Sequence, residues 1–188
     1  MLVFSCHADT GFDSHSLRLL DNGLLQGQLD NYVGVYSLMK AYFSGRLNQD
    51  YLRIELTYDE EGDFEGAYEV LDTLDEDDVV IVIDVTGTPS DAPVVFEKCR
   101  DPQLEHFLRH ALGDLPFDLY NYCPDPVCDE DETDVYSEKC KHTCFLGVPV
   151  FGGDYNEEAV LCRQDTPDRV AEAICRIAEA FPAWTPQR

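Results

Sequence analysis

The run Val79-Val80-Ile81-Val82-Ile83 constrains the fold of this chain most. Every residue in it is β-branched, which stiffens χ1 and favours extended backbone. Neither side of its pleat carries a polar residue. A strand of this kind is stable when both faces are covered, as in a parallel sheet flanked by helices. The run stops at Asp84. An acid there lies either at a sheet edge facing solvent or in a site.

The rest of the pattern supports a layered α/β structure. Residues 2–6 read as a short buried strand, and 52–58 alternate as a second. Residues 93–97 form a weaker strand, 117–122 are strand-like, and 145–151 form a strand carrying Gly147 and Pro149. Helical spacing predicts helices over 31–43, 66–74, 103–112 and 167–181. Asp30 stands where an N-cap would stand, and Gly45 is a stop. Thr166 caps the last helix, with Pro167 at its first position. Strands alternating with helices predict one domain over 1–188, a three-layer α/β/α sandwich around a mixed, mostly parallel sheet. Residues 123–142 read as a polar loop, within a Cys-rich acidic stretch over 123–144.

Composition narrows the function. Of 188 residues 44% are hydrophobic, enough for a core, yet 13 basic against 38 acidic residues leave a net charge of -25. That charge opposes nucleic acid, whose binding needs Lys and Arg to displace counterions. It opposes an anionic membrane surface equally, and admits a cationic partner, a divalent metal or a high-salt habitat. Met1 to Ser5 is too short for an export signal, and no window approaches the roughly 20 apolar residues of a membrane span. The expectation is a cytoplasmic protein.

Four hydrophobic stretches end at metal-compatible side chains. His7-Ala8-Asp9 closes the first strand, Asp30-Asn31 opens the first helix, Glu60-Glu61 follows the second strand, and Asp84 ends the third. In open α/β sheets, ligands bind beyond the carboxyl ends of the strands. Residues far apart in sequence then share one crevice, and the pattern suggests a two-metal hydrolase. In extended backbone His7 and Asp9 point the same way, so Asp9 can orient the imidazole; a capped loop with a surface His is the bland alternative. Asp30 can bridge two cations or simply cap a helix. Of Glu60 and Glu61, one can ligate while the other takes a proton from an attacking water, unless both belong to a solvated loop.

These segments together resemble the catalytic core of the di-zinc exopeptidases, the superfamily of zinc aminopeptidases and amidohydrolase-type carboxypeptidases. The segments are Cys6-His7-Ala8-Asp9-Thr10, Leu29-Asp30-Asn31-Tyr32-Val33-Gly34, Asp59-Glu60-Glu61-Gly62-Asp63-Phe64-Glu65-Gly66-Ala67, Val82-Ile83-Asp84-Val85-Thr86, Thr133-Asp134 and Leu146-Gly147-Val148-Pro149-Val150. With the elements between and around them, the resemblance runs from about residue 3 to 181, nearly the whole chain. The resemblance implies a phosphorylase/hydrolase-like zinc-peptidase core. His7 would bind one zinc with Asp9 behind it, Asp30 would bridge both metals, Glu60 would be the general base, Glu61 would ligate the second metal and Asp84 would complete the first shell. Two zinc ions roughly 3.5–4 Å apart would share a water that attacks a peptide or related amide bond. An aminopeptidase is implied most closely, its acidic pocket suiting a positive amino terminus. A catalytically degenerate homologue that binds or scaffolds is the alternative.

Two departures qualify that resemblance. In the superfamily a last His follows the Gly-x-Pro strand and binds the second metal, but here that position falls on Asp154 and no His follows His142. Asp can ligate zinc, and the harder ligand set tolerates Mn2+ or Mg2+ better. Only 20 residues separate Asp9 from Asp30, so substrate selection must rest on short loops or on another chain, in a homo-oligomer. Outside the family pattern, Cys123, Cys128, Cys140 and Cys144 form two close pairs. They are candidates for a structural metal, a disulfide pair or free thiols.

Overall fold

The computed structural model describes residues 1–128 and 130–184. In chain order its elements are β1 Leu2–His7, β2 Leu17–Leu19, β3 Leu24–Gly27, α1 Tyr32–Phe43, β4 Leu52–Thr57, α2 Glu65–Asp72, β5 Val79–Thr86, β6 Val95–Glu97, α3 Pro102–Leu112, β7 Asp118–Leu119, α4 Glu132–Ser137, β8 His142–Phe151, β9 Val160–Arg163 and α5 Thr166–Ala180. The parallel strands β4, β1, β5 and β8 lie side by side. Antiparallel β9, β3 and β2 extend the sheet beyond β8, and β6 pairs with β8 and β7. Among the described residues no helix is long and apolar enough to cross a membrane.

Alternation along the strands sorts the core into two. Leu2, Phe4 and Cys6 of β1, and Val79, Ile81, Ile83 and Val85 of β5, belong to one apolar cluster, which α1, α3 and α5 close with Val33, Leu38, Leu104, Leu108, Val170 and Ile174. Val3, Val80 and Val82 belong to a second, smaller cluster, covered by Ala67 and Leu71 of α2 and by Val135 and Tyr136 of α4. The result is the expected three-layer sandwich with a mixed, mostly parallel central sheet. β5 is buried along its whole length, because each face meets its own helical layer.

Several elements differ from the sequence expectation. Asp30 does not cap α1: Asn31 occupies that position and makes no side-chain cap bond. Asp165, rather than Thr166, precedes α5. The stretch 123–142 contains α4, whose start is secured by a capping box between Asp131 and Asp134. A helix of 6 residues with so little apolar content leaves no periodic signal. The β2–β3 hairpin lies in a stretch read as loop, although Asn22-Gly23 at its turn is a known hairpin signature.

The four candidate zinc cysteines are not brought together. Cys140 faces the second core and its thiol donates to the Asp75 carbonyl at 3.6 Å, whereas Cys144 lies in the first core. The Cys123 thiol donates to Glu97 at 3.1 Å, and Cys128 lies against the Glu130 carbonyl at 3.7 Å. The expectation of a four-thiolate metal is thereby corrected: the sheet separates the later two sulfurs. All eight cysteines are free thiols.

One close approach fixes the start of α1. The Asn31 amide donates to the Ile83 carbonyl at 2.9 Å and to Cys6 Sγ at 3.3 Å, tying the helix to the ends of β5 and β1. A Cβ on Gly34 would lie 1.9 Å from Asn31 Oδ1, so only glycine fits beneath that pinned amide. Gly34→Ala should destabilise the protein by about 1–3 kcal/mol through overpacking, read as a lower urea midpoint. An unchanged midpoint would mean that Asn31 has room to move.

Candidate metal centre

His7 is the last residue of β1, and Asp84 lies near the end of β5. The parallel register pairs Ser5 with Val82, so His7 and Asp84 fall opposite each other two residues on. Both share the side-chain parity of Val3 and Val80, and so leave the sheet towards the α2–α4 layer. Asp30 enters from the loop before α1, on a cis peptide bond to Asn31, with its carbonyl accepting from Thr10 Oγ1 at 3.0 Å. The anchoring of Asn31 thus also fixes Asp30.

Glu60 and Glu61 follow β4 in a turn that Asp59 organises, its carbonyl accepting from Phe64 N at 2.8 Å and its carboxylate from Asp63 N at 3.1 Å. Gly66 lets α2 start directly under this turn: a Cβ there would lie 2.6 Å from Tyr58 N. The Gly66-Ala67 pair of the family-like segment therefore has a packing reason, Ala67 being fully buried.

These elements converge on one imidazole. His7 Nε2 lies 3.1 Å from Asp84 Oδ2, 3.3 Å from Asp30 Oδ1 and 4.0 Å from Glu60 Oε2. On its other edge Nδ1 lies 3.5 Å from Asp9 Oδ1. Two groups of donor atoms are close enough to share an ion: His7 with Asp30 and Asp84, and His7 with Glu60 and Glu61. His7, Asp30 and Asp84 are all buried.

The electrostatics are those of crowded, desolvated charge. Burial opposes the His7 imidazolium, but Asp84 and Asp30 overcome it and hold the pKa well above the ordinary range. Burial, then Asp84, pushes the Glu60 carboxyl up to about 9. Burial raises Asp84 to about 7 against the pull of His7. Burial and Asp30 also raise Glu61, against a backbone hydrogen bond from Gly11. His7 Nδ1, Asp9 Oδ1 and Asp30 Oδ1 are buried without a hydrogen-bond partner among the described residues. An imidazole nitrogen and several carboxylate oxygens with unused lone pairs are the donors that zinc and harder divalent cations take. The residues fit such a centre.

Asp154 stands outside both groups. Its carboxylate accepts from Asn156 N at 3.0 Å, while Tyr155 and Asn156, its neighbours, line the cavity. That cavity, of 320 Å³, opens over Asp30, Glu60, Glu61 and Asp84 and is walled by Phe64, Val127 and Phe145. Tyr155 is held by a hydrogen bond to Asp125 at 2.9 Å, and Asp125 also accepts from Gly87 N at 2.7 Å and Val127 N at 2.9 Å.

Sequence reasoning missed the support beneath His7. Ser5, two residues earlier on the same face of β1, donates to Glu132 at 3.0 Å and shares a hydrogen bond with the Tyr136 hydroxyl at 2.8 Å. Glu132 is buried, and its desolvation raises its pKa. The alternation of β1 was the available signal for Ser5. Nothing marked Glu132 within its acidic stretch.

No protein-family model matches the chain, and no curated protein matches it. Solved structures do. An aminopeptidase from the archaeon Desulfurococcus kamchatkensis superposes with a TM-score of 0.70 at 14% identity, covering 94% of this chain and 55% of the other. An M18-family aminopeptidase from Thermotoga maritima gives 0.64 at 15% identity, over 87% of this chain and 48% of the other. A TET aminopeptidase from a marine sediment archaeon of the Thaumarchaeota gives 0.67 at 13% identity, over 91% and 55%.

The fold is that of these aminopeptidases. The chain spans about half the length of the structures it matches. Within this aminopeptidase fold the buried Glu132 is a titratable support. A carboxyl with a raised folded pKa contributes stability below its unfolded value, and that stability is lost as pH rises through the folded value. Glu132→Gln should therefore raise Tm at pH 8, the gain shrinking towards zero near pH 4. A gap that stays constant with pH would show that packing, not ionisation, sets the difference.

Proposed function

We propose that this chain is a metal-dependent hydrolase of peptide or related amide bonds, of aminopeptidase type. The observation that carries this is His7, held between Asp30, Asp84 and Glu60 with its neighbours' buried oxygens unpartnered. His7, Asp30 and Asp84 would hold one divalent cation, with Asp9 orienting the imidazole. Asp30 and Glu61 would hold a second. Zinc suits the imidazole, and the oxygen-rich remainder suits Mn2+ or Mg2+ as well. Such cations would polarise the scissile carbonyl and lower the pKa of a bound water.

The remaining chemistry belongs to the protein's own groups. Glu60 lines the cavity and takes the proton from the water oxygen that attacks the carbonyl carbon. As the C–N bond breaks, Glu60 returns that proton to the departing amine. The acids around the cavity favour a substrate's positive amino terminus over a terminal carboxylate. Water is excluded on one side by Phe64, Val127 and Phe145. Asp154 is offered no role, because its carboxylate turns to Asn156. A matching structure is a dodecamer, which supports self-association as part of the proposal. A cytoplasmic setting agrees with eight free thiols.

Protein purified without chelator should carry about two divalent cations per chain by elemental analysis. Glu60→Gln should keep those cations while lowering aminoacyl-anilide hydrolysis by about 10²–10⁴-fold. Full activity in that variant would remove the assigned base, and protein that binds no divalent cation would remove the hydrolase.

A further inference from the structure

The solvent face of α1 carries almost no charge. Residues 31–49 contain no Asp or Glu, the longest acid-free stretch of a chain in which 38 of 188 residues are acidic. On its inner side Val33, Ser37, Leu38 and Ala41 are buried. On its outer side Tyr32 is 53% exposed, Tyr36 46%, Tyr42 48% and Phe43 80%. At about 100° per residue these four share one arc of the helix with part-buried Val35 and Met39. Tyr32 lies parallel to Tyr36 at 6.5 Å between ring centroids, and Phe43 meets Tyr42 edge-on at 5.3 Å. Lys40 is the one charged residue of α1; it lies at the edge of the arc, paired with Asp168 of α5. Leu56 adds to the same side: β4 pairs it with Cys6, whose sulfur receives the Asn31 amide at the head of α1, and it is exposed. A helix that is apolar on every side belongs inside an assembly.

Charge and area decide what covers it. A basic partner would find no acid on this helix, and an acidic partner only Lys40, already paired. The fitting surface is uncharged and aromatic, and a second copy of α1 supplies one. Two chains of net charge -25 repel each other over most of their surfaces, and this acid-free helix is where they can approach. At roughly 200 Å² per aromatic side chain, the four rings expose about 450 Å² on each chain. Two copies would cover about 900 Å² with these rings alone, against about 1,200 Å² for a small specific interface. Met39 and Leu56 contribute to the remainder.

We propose that two copies of this chain associate through α1, the helices antiparallel about a twofold axis, with Tyr32, Tyr36, Tyr42 and Phe43 of each covering those of the other. None of these residues lines the cavity over Asp30 and Asp84, so the contact leaves that cavity open. It gives the self-association proposed above its surface and stands without the hydrolase reading.

The test is sedimentation of the full chain over a dilution series. A species of twice the chain mass should appear at the upper concentrations. The dimer should tighten roughly tenfold between about 0.1 and about 1 M NaCl, as screening removes the mutual repulsion. Tyr36→Ser and Phe43→Ser should each weaken it by roughly tenfold or more. Tyr68→Ser, which removes an exposed aromatic from α2 in the opposite layer, should leave it unchanged. Thermal midpoints of all three variants should stay near the parent's, since each removes an exposed side chain. A chain that stays monomeric in both salts would overturn the proposal. So would a dimer that survives both α1 variants, or one that weakens as salt rises. Loss of metal binding or of anilide hydrolysis in the parent would remove the hydrolase and leave this result standing.

Discussion

One imidazole surrounded by carboxylates at the rim of a parallel sheet organises this molecule. His7 is buried where charge is costly, and within 4.0 Å of it lie acids from three other segments of the chain. Burial alone would neutralise each acid, and Glu60 and Asp84 are pushed in that direction. The fold keeps them adjacent nonetheless, because strand register and parity determine where each side chain emerges. β1 and β5 run in parallel and bring His7 and Asp84 out on the same face. Asn31, bonded to the ends of both strands, holds Asp30 over them. A divalent cation held there, as proposed, would relieve that like-charge repulsion.

Much of the fold was legible from strand pattern alone. The β-branched run over β5 required two covered faces, and both helical layers are there. Elements long enough to show a period were located to within a few residues. Those that escaped notice were short or depended on local polar chemistry: the β2–β3 hairpin with its exposed first strand, four-residue β9, and α4 with its capping box. The zinc reading of the cysteines failed for a topological reason. Close spacing in sequence does not survive when one residue stays in the turn after α4 and the other enters β8: Cys140 packs with the α2–α4 layer while Cys144, on the strand, faces the opposite core.

The candidate site was legible only in part. His7, Asp9, Asp30, Glu60, Glu61 and Asp84 lie at element ends, where the primary structure already marked them, and the structure draws them into one neighbourhood. Asp154 was inferred by counting past a strand, and a turn of its own hydrogen bonds directs its carboxylate elsewhere. Phe64, Val127 and Phe145, which wall the cavity, come from unrelated segments, and no pattern in the chain links them. The hairpin β2–β3 fills the interval between Asp9 and Asp30, and the cavity walls come from elsewhere: the start of α2, the segment before α4, β8 and Tyr155.

The central claim is that these side chains form a cradle for divalent cations. Anomalous scattering at the zinc edge from zinc-soaked crystals tests it most directly. The account predicts a peak about 2.0–2.1 Å from His7 Nε2, with Asp30 and Asp84 oxygens completing the shell. Zinc found only at the cysteines or on surface acids, with His7, Asp30 and Asp84 well ordered and unliganded, would contradict it.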